Sequence, residues 1–476
     1  MTPINRIMTT LCLVPGVLFL IAGCSTLAPK YSQPATPVPA TWPSGPAYPV
    51  ASIDSASEPV ANRSWQSFFA DWRLQQLIIL ALENNRDLRV TALNIERSRA
   101  LYQIKRSDLL PKVDGSAAAN FERISESFSG TGRASTAEQY SVGLGNSSFE
   151  LDFFGRVRSL KDQALEQYLA TEHALGSTRI SLVAEVARNY LTLAADRERL
   201  KLARETLSSR QYSLVLVQGR FDAGVTTALD LYQAQTTVDS ARADIAGYLS
   251  QIAQDENALS LVLGAAAPTG LLPDGLAETI SPIGEIPVGL PSDVLRHRPD
   301  ILQAESLLKA ANANIGAARA AFFPRITMVS GVGTASDSLL DLFQSGTTIW
   351  NFTPKIQLPI FDAGSNQANL KVAQADRDIA IAQYEKAIQV AFREVADALA
   401  QRGTIDDQLA ARESLADASA KSYFLSEARY EKGVDSFLTV LDSQRSLYSA
   451  RQTLITTRLS RLINQVTLYK VTGGGV

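Results

Sequence analysis

Cysteine is nearly missing from this chain. Cys12 and Cys24 are the two that occur, so the residues beyond them can form no disulfide and present no thiolate. Histidine is equally scarce, with His173 and His297 far apart, and the three methionines are Met1, Met8 and Met328. Neither a His cluster nor a thioether series speaks for a bound metal, and no metal or cofactor is expected. No GxxxxGK[ST] segment occurs, so energy for any work has to come from a partner. A net charge of −3 and a pI of about 5.7 leave no basic footprint for nucleic acid. Beyond the N-terminus no apolar run approaches the roughly 20 residues that a helical membrane span needs. Nothing in this composition supports an enzyme, while a hydrophobic content of 46% fits a folded chain.

The N-terminus does carry an apolar run. Arg6 precedes Leu11 to Ile21, followed by Ala22-Gly23-Cys24. That run is too short to span a bilayer and reads as a secretory signal over 1–23. Small residues directly before Cys24 resemble a bacterial lipoprotein signal, in which the cysteine is acylated and becomes the first residue. Ser25 after it resembles the pattern sent on to the outer membrane. The proline-rich stretch that follows reads as an extended arm, either a free tether or a strap on the body. Trp42, Tyr48 and Trp65 give it something to pack and favour the strap.

An internal repeat sets the architecture. Residues 220–225 read RFDAGV and residues 429–434 read RYEKGV, 209 positions apart. At the same shift Leu231, Val238, Ile245 and Leu259 fall on Val440, Leu447, Leu454 and Leu468. Upstream, Leu110-Pro111-Lys112 matches Phe323-Pro324-Arg325 at a shift of 213. The chain is a duplication, with halves over about 71–263 and 291–476.

Each half is mostly helical. Val186, Leu193, Leu200, Leu207 and Leu214 recur every seven residues, and Leu231, Val238, Ile245, Ile252 and Leu259 do so after RFDAGV. Ile381, Ile388, Val395 and Leu409, then Val440, Leu447, Leu454 and Leu468, repeat the pattern around RYEKGV. This spacing is a seam for another helix. The doubled phrase is therefore expected at the tips of two helical hairpins. Gly224 and Gly433 would take the left-handed conformation that ends a helix, and Val225 and Val434 would pack back. A turn needs the glycine but neither the arginine nor the aromatic, so Arg220, Arg429 and Tyr430 point to a partner or gate role. Narrow apolar seams with polar flanks suit the wall of a water-filled tube, and equally a coiled-coil rod.

Four stretches read instead as strands. Trp350, Phe352, Ile356 and Leu358 alternate with Asn351, Thr353, Lys355 and Gln357; Phe149, Leu151 and Phe153 alternate with Glu150 and Asp152. They form one hairpin per half, over about 112–154 and 324–361, joined by Gly/Ser-rich loops. Val142 and Leu144 lie out of phase with Phe149, which a bulge would explain. A soluble sandwich would turn the apolar face inward. In lipid, only helices or closed barrels satisfy the backbone, and four strands cannot close a barrel. Three chains would supply twelve, with Lys355, Gln357, Glu150 and Asp152 facing water inside.

Several segments in this order carry a family likeness: Cys24 with its proline-rich arm, WQSFFADWRLQQLIILALENNRDLRV, LLPKV, FELDFFGRVRS, LRHRPDILQAE, AAFFPRIT, PIFDAG, RYEKGVDSFLTVLDSQRSLYSARQ and YKVTGGG. Over essentially the whole mature chain the sequence resembles the TolC superfamily of outer membrane efflux proteins. It is most similar to the lipidated branch that serves resistance-nodulation-division pumps. The resemblance implies a mixed α and β fold: a trimeric twelve-strand transmembrane β-barrel, four strands per protomer, continued by a long periplasmic α-helical barrel with a mixed equatorial belt. It divides the chain into a signal peptide (1–23), a lipidated strap (24–70), a first repeat (71–263, helical hairpin about 157–263), an equatorial linker (264–290) and a second repeat (291–476, helical hairpin about 365–470).

The implied function is a passive exit duct for drugs or other small molecules, working with a periplasmic adaptor and an inner-membrane transporter and anchored in outer membrane lipid. In this family the periplasmic tip is closed at rest and opened by the adaptor. Asp442 in TVLDSQR matches the aspartate at the constriction, Arg429 and Tyr430 match residues that tie neighbouring helices, and Asp230 would add a second acidic ring. Three Asp442 carboxylates near an axis would repel and call for cations such as Arg429. Two rival readings remain: the outer membrane duct of a type I protein secretion system, and a trimeric coiled-coil surface protein.

Overall fold

The computed structural model describes residues 26–48, 64–130, 132–276, 295 and 297–474. Cys24, the signal segment and residues 277–290 of the expected linker lie outside these. The chain gathers into two compact units. One holds 94–171 and 303–384 with the start of the arm; the other holds 36–93, 172–302 and 385–476. The units therefore cut across the duplication, because each hairpin of the first half packs with its counterpart from the second.

The duplication itself is visible in element lengths. After a short turn α1 (Trp65–Phe68) come α2 (Trp72–Asn84) and α3 (Arg86–Ser107), then β1 (Asp114–Ile124), β2 (Ser135–Leu151), α4 (Arg156–Asp222) and α5 (Ala228–Leu263). The second half gives α6 (Pro299–Ala320), β3 (Arg325–Ser336), β4 (Thr348–Gln357), α7 (Ser365–Glu431) and α8 (Phe437–Val471). Helices α3 and α6 have 22 residues each and α4 and α7 have 67 each. Equal lengths keep equivalent seams in register along each packed pair.

In the first unit the strands form one antiparallel meander in the order β1-β2-β3-β4. The registers put Trp350, Val332 and Leu144 in one cross-strand row, and Ile356, Ile326 and Leu151 in another. One face is therefore apolar. The pairing slips between Asn146 and Phe149, so a bulge returns Phe149 and Leu151 to the face that carries Val142 and Leu144, resolving the phase conflict in the sequence. Every residue of β4 and all but the last of β1 are exposed, and Trp350 is 77% exposed. On the other face Gly143 opposes Gly333 and Gly145 opposes Gly331. A side chain there would sit against the neighbouring backbone: a Cβ on Gly143 would lie 3.0 Å from the Val332 carbonyl oxygen. Such close approach of two backbones is a reason for glycine inside a strand.

Glu150 and Asp152 do not simply face water, as the alternation suggested. The Glu150 carboxylate accepts from Arg156 at 2.6 Å and from Arg325 at 2.6 Å. Asp152 accepts from the Arg158 guanidinium at 3.1 Å and from its backbone N–H at 2.9 Å. Gly155, at φ +73, reverses the chain so that the arginines six residues on meet these acids. Asp152 thereby satisfies a first-turn donor of α4.

The arm lies along α6 in this same unit. Arg319 donates to the Leu27 carbonyl (3.1 Å), Asn312 to that of Pro29 (2.8 Å), and Tyr31 to Glu305 (3.1 Å). Gly316 leaves room for Ala28, since a Cβ there would come within 2.7 Å of the Ala28 nitrogen.

The second unit has its core around Leu77, Ile78, Val186, Leu193, Leu259 and Tyr469. The Arg298-Pro299-Asp300 segment acts as a fastener here. Arg298 is buried and binds Asp300 (2.7 Å), Glu394 (2.8 Å) and the Val471 carbonyl at the end of α8 (2.9 Å).

Candidate functional site: the paired hairpin tips

Both tips close in the same way. Gly224 and Gly433 have φ +72. Val225 N–H reaches the Arg220 carbonyl and Gly224 N–H that of Phe221; Val434 and Gly433 do the same to Arg429 and Tyr430, all at 2.9 Å. This double bond pattern satisfies the last carbonyls of the helix and needs a residue free to take positive φ. Val225 and Val434 are 72% and 61% exposed rather than packed back, because the bond pattern, not a hydrophobic contact, holds the turn.

The two arginines of the doubled phrase take different partners, and one position explains why. Six residues after Arg429 stands Asp435, which takes its guanidinium in two hydrogen bonds of 2.7 and 2.9 Å. Asp435 is held below the usual carboxylate range by that arginine. Six residues after Arg220 stands Thr226. Without an acid at that position, Arg220 crosses to the other hairpin, donates to the carbonyls of Tyr430 (3.3 Å) and Glu431 (3.2 Å), and lies 4.2 Å over the Tyr430 ring. Tyr430 itself is buried with Phe437, Val440, Leu441, Val217 and Ala234. Arg220 is thus a clasp between hairpins, a role its place in the motif did not disclose.

Within the protomer Asp230 sits in the cap of α5. Its carboxylate accepts from the hydroxyls of Thr226 and Thr227, both at 2.8 Å, and Thr227 caps α5 in return. Partial burial works against ionisation, but the Thr227 and Thr226 hydroxyls outweigh it and hold Asp230 below its ordinary value. Asp442 is different. It is exposed one turn into α8 and has no hydrogen bond or ion pair among the described residues. Within the protomer Arg429 pairs with Asp435 rather than with Asp442.

Higher in the same unit, Asp196 on α4 and Asp255 on α5 are both buried. Burial first, and then Asp196, push Asp255 up to about 6, against the Gln251 amide and Arg199. A carboxyl whose folded value is raised favours the fold while protonated, and that contribution is lost as pH rises through the folded value. The melting temperature of the wild type is therefore expected to fall relative to Asp255→Asn as pH rises through about 6. Parallel pH profiles of the two chains would remove this carboxyl as the cause.

An open meander with an exposed apolar face and unpaired edges, on a chain otherwise made of duplicated long helical hairpins, defines a protomer of an outer membrane channel. The family model for outer membrane efflux proteins matches twice, over residues 77–265 and 290–474, and the chain belongs to that family. It is 49% identical over 458 residues to the toluene efflux pump outer membrane protein TtgC of Pseudomonas putida, covering 96% of this chain and 94% of that one. It is 44% identical over 459 residues to outer membrane protein OprJ of Pseudomonas aeruginosa, covering 96% and 95%. The open state of the Neisseria gonorrhoeae MtrE outer membrane channel superposes with a TM-score of 0.85 at 39% identity, covering 95% of this chain and 98% of that one.

Proposed function

We propose that three copies of this chain form the outer membrane exit duct of a tripartite efflux pump for small molecules. The observation that carries this is the sheet. Strands β1 and β4 have 11 and 10 residues, the length of a transmembrane strand, and each leaves one edge unpaired beneath an apolar face. Three copies joined edge to edge close twelve strands and leave no edge in lipid. Acylation of Cys24 would add a membrane anchor, with the strap tying it to α6. The chain supplies a passage, and a periplasmic adaptor with an inner-membrane resistance-nodulation-division transporter supplies selection and energy. Relatives named for toluene efflux support small-molecule export over protein secretion.

The hairpin tips form the gate in this reading. Asp442 is its exposed acid, Arg220 and Tyr430 keep the two hairpins of a protomer together, and Arg429 with Asp435 stiffens one turn. Val225, Val434, Gly224 and Gly433 present the surface that meets the adaptor. Three unpaired Asp442 carboxylates near one axis would hold a cation or repel one another. Asp442→Ala is expected to raise single-channel conductance in planar bilayers severalfold, and unchanged conductance would take the gate away from this residue. The function itself is read by dye accumulation. Cells lacking the gene should retain more of a fluorescent pump substrate, and the gene should reverse this. Equal retention, with a secreted protein missing from the medium, would favour the type I reading.

A further inference from the structure

The tip is separated from the rest of its unit by an unusual layer. Below lies the apolar cluster of Val217, Tyr430, Phe437 and Val440; above lies that of Ala194, Ala195, Leu202 and Ile455. Between them polar contacts run beside the buried Val238 and Ala241. Ser209 meets the Tyr423 hydroxyl at 3.0 Å, and Gln444 donates to both at the long distances of 3.3 and 3.4 Å. A cavity of about 200 Å³, lined in part by Thr206, Ser209, Tyr423, Gln444 and Tyr448, sits at the same level.

Arg210 is the most costly member. It is only 4% exposed. Its guanidinium donates to the Thr237 carbonyl at 2.8 Å and lies 5.2 Å from the Tyr448 ring centre. Its Nε has no partner, and no carboxylate is ion-paired with it among the described residues. Asp244 accepts from the Tyr448 hydroxyl at 3.1 Å, and its charge favours the Arg210 cation without a direct ion pair. Burial accordingly lowers the pKa of Arg210. A buried cation without a direct ion pair costs free energy that water would relieve. The second repeat has Ser419 at the equivalent place, so the duplication did not require an arginine here.

We infer that the layer around Arg210, Tyr423 and Gln444 is the pivot of the gate, the level at which the two hairpins, clasped to each other at the tip, bend together when the tip opens. The inference rests on the channel reading above. Apolar clusters resist shear because their packing is dense, whereas hydroxyl and amide contacts exchange with water at little cost. The void gives the side chains space to move. Arg210 is a positioning residue in this account, since it biases the layer toward admitting water without touching the passage.

The test replaces the charge by an apolar chain of similar length. Arg210→Met in the full-length trimer is expected to raise the melting temperature and to lower channel open probability about tenfold, in the wild type and in Asp442→Ala. Arg210→Lys, which keeps a cation, should stay near wild type in conductance. A merely structural arginine would lose stability on substitution, so a lower melting temperature for Arg210→Met overturns the pivot. Unchanged conductance of Arg210→Met beside a conducting wild type also overturns it. A trimer that conducts neither as the wild type, nor as Asp442→Ala, nor with a periplasmic adaptor added would instead overturn the channel reading itself.

Discussion

Gly333→Val is expected to empty the outer membrane of this protein. Gly333 pairs with Gly143 across β2 and β3. A Cβ on Gly333 would overlap the Val142 carbonyl oxygen and lie 2.7 Å from the Gly143 Cα. Both obstacles are backbone, so no rotamer relieves them, and the two strands would have to part at the centre of the sheet. Overpacking usually costs about 1–3 kcal/mol, and a backbone clash in a mid-sheet pair belongs at or above the upper end. The sheet would lose a rung of its ladder. Membrane-fraction abundance and heat-stable trimers on gels read the effect directly. The glycines should grade: Gly333→Ala worst, Gly143→Ala milder with its 3.0 Å contact, and Gly331→Ala mildest because its nearest obstacle is the movable Asn351 side chain. Equal tolerance at all three positions would mean that the close approach is not needed.

Arg298→Met is expected to loosen the C-terminal end of α8 and lower the melting temperature by several degrees. Three acceptors converge on this buried guanidinium, two carboxylates and the Val471 carbonyl. Breaking a buried pair by removing one partner costs about 3–5 kcal/mol. Here Asp300 and Glu394 are each about a third exposed, so water can serve them and about 2–3 kcal/mol is the better expectation. Limited proteolysis should then cut near residue 471 earlier than in the wild type. Arg298→Lys should recover only part of the loss, since an ammonium lacks the fork that reaches Asp300 and Glu394 together. Wild-type resistance in Arg298→Met would show the fastener to be dispensable.

Much of this fold is legible because its determinants are periodic or local. The heptads from Val186 to Leu214 and the glycines at 224 and 433 place long helices and their turns without tertiary information. The strands are legible through Trp350, Phe352 and Ile356, and even the bulge announces itself as a parity change between Leu144 and Phe149. What escapes is the pairing of charges. Nothing in RFDAGV says that Arg220 will cross to Tyr430; the cue is the threonine at 226 where the other copy has Asp435, visible only when the copies are compared. Glu150 and Asp152 fit an alternating strand, but the arginines spaced six residues on, beyond Gly155, decide their fate. Asp230 lies in a capping sequence, Thr-x-x-Asp, that competes with any gate role. Arg210 and the Asp196–Asp255 pair are invisible to apolar periodicity, because such a count passes over the polar residues that helices bury.

The unpaired edges of β1 and β4 also have a genetic meaning. A wall completed only by three copies makes each protomer a structural hostage of the other two. Where a cell makes equal amounts of sound and defective chain and mixes them at random, about one trimer in eight is wholly sound. A substitution that still assembles but jams the tip would then be dominant, and one such as Gly333→Val, which fails before assembly, would be recessive. Co-expression with the wild-type gene sorts tip from sheet without any structure.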